Sequence, residues 1–390
     1  MSNFSQPPHK VEGLSPFTFS ISKDEIDDLN TLLKRPLPIA TWENSSQDDE
    51  RYGVRRDWII NYRYRQKYQD NINGVPNFKL PVEDEGETYH VHFAALFSQK
   101  KDATPLLLSH GWPGSFLEFM PILKKVQKQY ASDPASLPYH LIVPSVPGYG
   151  FTKISTNKDM TLLMCSRILN KLMVKLGFNQ YIAQGGDVGS MITKTVVEEF
   201  DECIAGHTNM IMMGPPQGDV APPTAAELRA LQGATKFQDS GMAYAMLHGT
   251  RPSTAGFTIA SSPQGLLAWI GEKMIQWSDE TPSIETILGN VSLYWFTGCY
   301  PSSIWIYRML FGPSSDSGPM GNLDKIKKPY GYSWFPEELG GLPRSWAEAT
   351  GKISFYKSHE KGGHFAALEL PDVLWQDIVE FVDLVHATKK

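Results

Sequence analysis

The sequence predicts an α/β fold: a mostly parallel sheet with helices packed on it, interrupted by a helical insertion. Three observations carry this. From Thr88 onward short apolar runs alternate with stretches of helical periodicity; the runs stop after Gly214-Pro215-Pro216; and they resume late, before an amphipathic C-terminal segment. Strands alternating with helices argue for parallel pairing, because a crossover helix must return the chain across the sheet.

The elements follow in order. Residues 1–86 are polar, aromatic and short of clean strands. Within them 21–34 reads as an amphipathic helix, with Asp24 and Glu25 in its first turn and Lys34 and Arg35 at its end, charges that complement the helix dipole. A charged hinge at 83–87 closes this zone. Strands are expected at 88–97, 105–109, 139–144, 181–184, 204–209 and 352–356. Leu162, Leu163, Ile168, Leu169, Leu172, Met173 and Leu176 recur at helical spacing and end at Gly177, a natural residue just past a helix. Residues 217–312 read as helices and loops rich in Trp, Tyr and Met, and 372–388 as the final helix. The chain thus divides into 1–86, a core at 87–216, an insertion at 217–312 and the rest of the core at 313–390.

Composition excludes several classes. With 36 Lys+Arg against 42 Asp+Glu the net charge is -6, the wrong sign for a general nucleic-acid binder. Three cysteines, Cys165, Cys203 and Cys299, cannot make a disulfide framework, so a reducing compartment is expected. No ligand-spaced Cys/His set points to a metal. The first ten residues lack the apolar run of a signal peptide, and the apolar stretch 292–313 is broken by Gly298, Pro301 and Arg308. A soluble cytoplasmic protein without a membrane anchor is expected.

The chemistry starts at Gln184-Gly-Gly-Asp187-Val-Gly-Ser190, where an apolar strand runs into a helix expected at 188–200. Small residues two before and two after a central residue are what a nucleophile elbow requires. Here the centre is Asp187, where Ser or Cys is usual. A carboxylate ordinarily titrates near about 4 and needs no base to become a nucleophile. Its suitable target is a saturated carbon bearing a leaving group, and the product is an ester whose acyl half belongs to the enzyme. Taken alone, the motif is also an ordinary glycine-rich turn.

Further motifs complete the pattern. Leu106-Leu-Leu-Ser-His110-Gly-Trp112-Pro113-Gly is an apolar strand ending in a turn that can supply the backbone N–H of Trp112 to an oxyanion, with Val188 N–H as the second donor. Pro113 is a candidate for a cis bond. His364, in Gly362-Gly-His-Phe365 before the final helix, stands where the base of such a core follows the nucleophile in chain order. His90 and His92 alternate along one strand and read as structural. The acid that orients His364 lies at Glu337 or Glu338, and spacing leaves both open. The insertion holds Tyr244, Tyr294, Tyr300 and Tyr307, phenols able to donate a proton from an apolar wall. Its Trp295, Phe296 and Trp305 are candidates for lining a substrate tunnel, and core packing accounts for each equally well.

Taken together, VHFAALF at 91–97, HGWPGSFLEF at 110–119, PSVPGYGF at 144–151, QGGDVGS at 184–190, TRPSTAG at 250–256, LLAWIGEKMIQW at 266–277, FPEEL at 335–339 and GGHFAALE at 362–369 make the chain recognisable. Over essentially its whole length it resembles the microsomal-type epoxide hydrolases, specifically their soluble fungal branch. The resemblance implies an α/β-hydrolase fold in which 1–86 is an N-terminal meander and 217–312 a lid. It implies Asp187 as nucleophile, His364 as base, Glu338 as its acid partner, and Tyr244 and Tyr307 as the pair that activates the oxirane. It implies an epoxide substrate, no cofactor and no metal, and makes a homodimer plausible. The departure from the family is the missing membrane anchor. Two other readings share the fold: a haloalkane-type dehalogenase, which needs halide-stabilising donors such as a Trp N–H, and a non-catalytic ligand-binding protein, which would have lost these residues.

Overall fold

A computed structural model describes residues 4–37, 53–59, 67–312 and 323–388. Its sheet contains β1 (Ser15–Phe17), β2 (Asn77–Asp84), β3 (Glu87–Leu96), β4 (Thr104–Ser109), β5 (Tyr139–Pro144), β6 (Tyr181–Gly185), β7 (Cys203–Thr208), β8 (Tyr330–Trp334) and β9 (Ile353–Ser358). The spatial order is β1-β2-β3-β5-β4-β6-β7-β8-β9. The pairs β1–β2, β2–β3 and β3–β5 are antiparallel, and all others are parallel. From β4 the chain steps to β5 on one side, then crosses back to β6 on the other. The carboxyl ends of β4 and β6 therefore meet at a topological switch point, where α/β sheets place their ligands. Both strands read as apolar runs because helices cover both faces; every residue of β6 is buried.

The structure corrects the sequence reading in three places. Asn77–Asp84 is a full strand inside the zone expected to lack one, alternating buried Phe78, Leu80 and Val82 with more exposed neighbours. Pro81 masks it, yet stands beyond the end of β1, where one edge tolerates a residue without an N–H. The charged segment 83–87 is no hinge: Glu85 (φ 49°) and Gly86 (φ 82°) form a tight hairpin turn between β2 and β3, as two successive positive φ values allow. Tyr330–Trp334 was missed because Gly331 and Ser333 dilute its apolar character, although all five residues are buried.

Helices occur where expected at Lys23–Leu32, Leu162–Lys175, Val188–Glu199 and Pro371–Thr388. The first is closed by a capping box between Ser22 and Glu25. Among the described residues every element between β7 and β8 is helical, from Ala225–Lys236 to Trp305–Phe311. Side chains of this insertion grip backbone carbonyls of the core beside the switch point. Asn290 Nδ2 donates to Pro113 (2.8 Å), Tyr294 OH to Gly114 (2.8 Å) and Trp305 Nε1 to Pro147 (2.9 Å). The N-terminal zone reaches it too, through Tyr68 OH to Glu285 (3.0 Å). Cys165, Cys203 and Cys299 are buried free thiols. Among the described residues no helix is long and apolar enough to cross a membrane.

Candidate active site

The end of β6 forces a turn that few residues can make. Asp187 sits at φ 50°, ψ −126°, a backbone conformation that a non-glycine residue holds only when its surroundings impose it. The small neighbours explain how. A Cβ on Gly185 would overlap the backbone of Gly189, and one on Gly189 would overlap the carbonyl of Ser109 at the end of β4. Strand and helix can pass this closely only without side chains there, and the carboxylate is thrust out at the sheet edge.

The second loop meets it directly. The Trp112 N–H donates to Asp187 Oδ1 at 2.8 Å, and the Trp112–Pro113 peptide is cis. Gly111 is required beside it, since a Cβ would overlap the same carboxylate. His110 anchors the turn from below: its Nε2 accepts from the Val146 N–H at 3.2 Å, and burial pushes the ring down to about 4, keeping it neutral. Val188 opens the helix Val188–Glu199, so its N–H belongs to the first turn, which has no intrahelical acceptor.

His364 completes the charged side. Its Nε2 lies 3.5 Å from Asp187 Oδ2, and its Nδ1 is bonded to Glu338 Oε1 at 2.7 Å. The backbone holds both loops: the His364 N–H donates to the Trp277 carbonyl, and the Glu337 N–H to the Gly362 carbonyl. Glu338 is buried and Glu337 exposed, so only the former can orient the imidazole. Burial alone would depress the ring, but the charge of Glu338 and the hydrogen bonds to Asp187 and Glu338 outweigh it and hold it well above its usual range.

Tyr244 and Tyr307 face this carboxylate from the insertion. Their hydroxyls lie 3.4 Å apart. The Tyr244 ring stacks on Trp112 (5.1 Å between centroids, 11° between planes), and Tyr307 meets the same indole edge-on. Burial, and then the Asp187 charge, pushes Tyr244 above the ordinary phenol range; Tyr307 is raised by burial, by Tyr244 and by Asp187. Both are held as neutral proton donors.

The rings around the two phenols are not the three wall candidates read from the sequence. The rings in contact with the two phenols are Trp112, Trp277, His248 and Phe311. Trp305 instead spends its indole N–H on Pro147. Trp295 and Phe296 are half-buried residues packed on the core. A helical aromatic stripe reports which residues are buried, not what they face. Trp277 lies in a quoted motif, and also meets the His364 ring at 5.2 Å. His248 is kept neutral by burial, which pushes it down to about 3, and its Nε2 accepts from Trp269 Nε1 at 3.1 Å. Tyr294 and Tyr300 point elsewhere, to Gly114 and to His248. His92 is a buried structural residue between Ser145 and Asn77. Among the described residues no cluster of His, Cys, Asp and Glu could hold a metal ion.

Comparison with known proteins gives the family. Residues 14–119 match the family described as epoxide hydrolase N terminus, and residues 104–284 match the alpha/beta hydrolase fold. The solved epoxide hydrolase of Aspergillus niger superposes with a TM-score of 0.89 at 41% identity, covering 98% of this chain and 99% of that one. Epoxide hydrolase 1 of Sus scrofa is 30% identical over 96% of this chain and 90% of its own length. The juvenile hormone epoxide hydrolase of Bombyx mori shares the fold at a TM-score of 0.80 and 24% identity, covering 98% of this chain and 96% of that one. An α/β-hydrolase core with an aspartate elbow, and relatives this similar over nearly their full length, establish that the chain belongs to the epoxide hydrolase family.

Proposed function

We propose that this epoxide hydrolase works through a covalent ester on Asp187. Tyr244 and Tyr307 hydrogen-bond the oxirane oxygen while Asp187 Oδ2 attacks a ring carbon from the opposite side. The C–O bond of the ring breaks, and a phenol proton neutralises the alkoxide as it forms. His364, oriented by Glu338, then takes a proton from water as that water adds to the ester carbonyl. The Trp112 and Val188 N–H groups stabilise the oxyanion, and on collapse the departing alkoxide takes the proton from His364 to complete the vicinal diol. The water's second proton, left on Asp187, returns to the phenolate and restores both groups. One observation carries this reading: a single carboxylate is approached by a backbone N–H at one oxygen, by the imidazole at the other, and by a pair of buried phenols.

The insertion would serve as a lid and 1–86 as a meander clasping it, with Trp277 and His248 in the place first given to Trp295, Phe296 and Trp305. The homodimer that the resemblance makes plausible and the cytoplasmic location expected from the sequence belong to the same proposal; light scattering and cell fractionation test them. The decisive experiment is single-turnover hydrolysis of an aryl epoxide in ¹⁸O-labelled water with enzyme in excess. The expected result is unlabelled first-turnover diol and label in Asp187. Solvent oxygen in that diol would exclude the ester. One observation favours a haloalkane reading: Trp112 Nε1 is buried without a hydrogen-bond partner among the described residues. Halide release from a chloroalkane, unaffected by loss of both phenols, would support it.

A further inference from the structure

Asp187 has a second side that the phenols do not reach. There a cavity of about 10 Å³, the space one water needs, is bordered by Asp187, His364, Glu118, Ser109, Asn209 and Gly186, and by neither Tyr244 nor Tyr307. Two buried polar atoms of its border, Glu118 Oε1 and Ser109 Oγ, have no hydrogen-bond partner among the described residues. Buried polar groups are nearly always paired, by protein or by water, so two at one cavity point to an ordered ligand of water size.

The local sequence delivers Glu118 to this place. Ser115 caps the short turn Phe116–Phe119 by accepting from the Leu117 N–H, which directs the following carboxyl inward. Gly114 clears the room, because a Cβ there would overlap the Glu118 carboxyl, just as one on Gly111 would overlap Asp187. The two glycines of the His-Gly-Trp-Pro-Gly turn thus admit one carboxyl each. Burial pushes Glu118 up to about 8, against the pull of the His364 imidazole and with the push of Asp187. At neutral pH it therefore adds little negative charge beside the nucleophile.

We infer that this cavity is the station of the hydrolytic water, and that Glu118 is the positioning residue that holds it. The inference rests on the covalent-ester reading. The Glu118 carboxyl accepts one O–H of the water and His364 Nε2 takes the other, leaving a lone pair toward the Asp187 ester carbon. As the water oxygen bonds to that carbon its proton passes to His364. The ester C–O bond then breaks, and the departing alkoxide recovers the proton from the imidazolium. The water is held in a space that neither phenol borders, so it need not compete with the epoxide for room.

The test separates the two half-reactions by rapid quench and intact-protein mass spectrometry with styrene oxide. Glu118→Met removes the polar end at similar volume. It should form the ester at the wild-type rate but hydrolyse it about 100-fold more slowly, the cost of a misplaced reactant. The adduct should accumulate, with kcat and KM falling together. Glu118→Gln keeps an acceptor oxygen and should lose less. Ester hydrolysis at the wild-type rate in Glu118→Met, or an equal slowing of ester formation, would overturn the assignment. Failure of the covalent reading would look different: His364→Gln, with Glu118 intact, would yield no adduct at all.

Discussion

On the core side of the site, Asp187, His364 and Glu338 stand on loops after strands and are fixed by hydrogen bonds, two of them between 2.7 and 2.8 Å. On the insertion side, Tyr244 and Tyr307 stand on helices and are fixed by ring contacts with Trp112, Trp277 and His248. The chemistry explains the contrast. On the proposed mechanism the core must stabilise charge as it develops, which only directed donors and acceptors can do away from water. The insertion must hold neutral acids, and an apolar aromatic wall does this by making phenolate expensive. Each side uses the environment that keeps its reagent in the required protonation state.

Four variants test this division. Asp187→Ala should remove turnover most completely, by at least about 10⁴-fold, with the fold retained in circular dichroism. Replacing Tyr244 and Tyr307 together by Phe should slow ester formation by on the order of 10³-fold, and either alone by less. Rapid-quench rates check this; if ester hydrolysis slowed equally, the two sides would not be separate. Glu338→Gln should lower the kcat plateau by on the order of 100-fold, since the imidazole loses its orienting partner. It also removes a negative charge that raises the His364 ring. The neutral ring is the base, so the acid limb of the kcat–pH profile should move to lower pH. Trp305→Phe breaks the indole bond to Pro147 and should cost about 1 kcal/mol in urea unfolding while sparing both half-reactions. A marked loss of ester formation there would place Trp305 in the roof after all.

Asp187, Trp112 and His364 were legible as candidates because the roles expected of them impose local sequence: glycines around Asp187, a turn at Trp112, a late loop at His364. Tyr244 and Tyr307 were singled out from four tyrosines of the insertion only by the family resemblance. Glu338 needed the family resemblance, since Glu337 satisfies the same spacing; what separates them is burial. The core strands were legible as continuous apolar runs. Asn77–Asp84 and Tyr330–Trp334 were not, because Pro81, Gly331 and Ser333 interrupt the apolar run, and only the pairing of the neighbouring strands shows that they are tolerated. Trp277, His248 and Glu118 acquire their roles only from packing between segments, which no short window of sequence records.

The hold of the Trp112 N–H on one oxygen of Asp187 has an isotopic consequence. On the covalent-ester proposal, if that bond keeps the carboxyl from rotating, the oxygen given to each diol is always the one facing His364, and solvent replaces that same atom. The other would persist through every catalytic cycle, so enzyme recovered after exhaustive reaction in heavy-oxygen water would carry label in one of its two carboxyl oxygens and retain the original in the other.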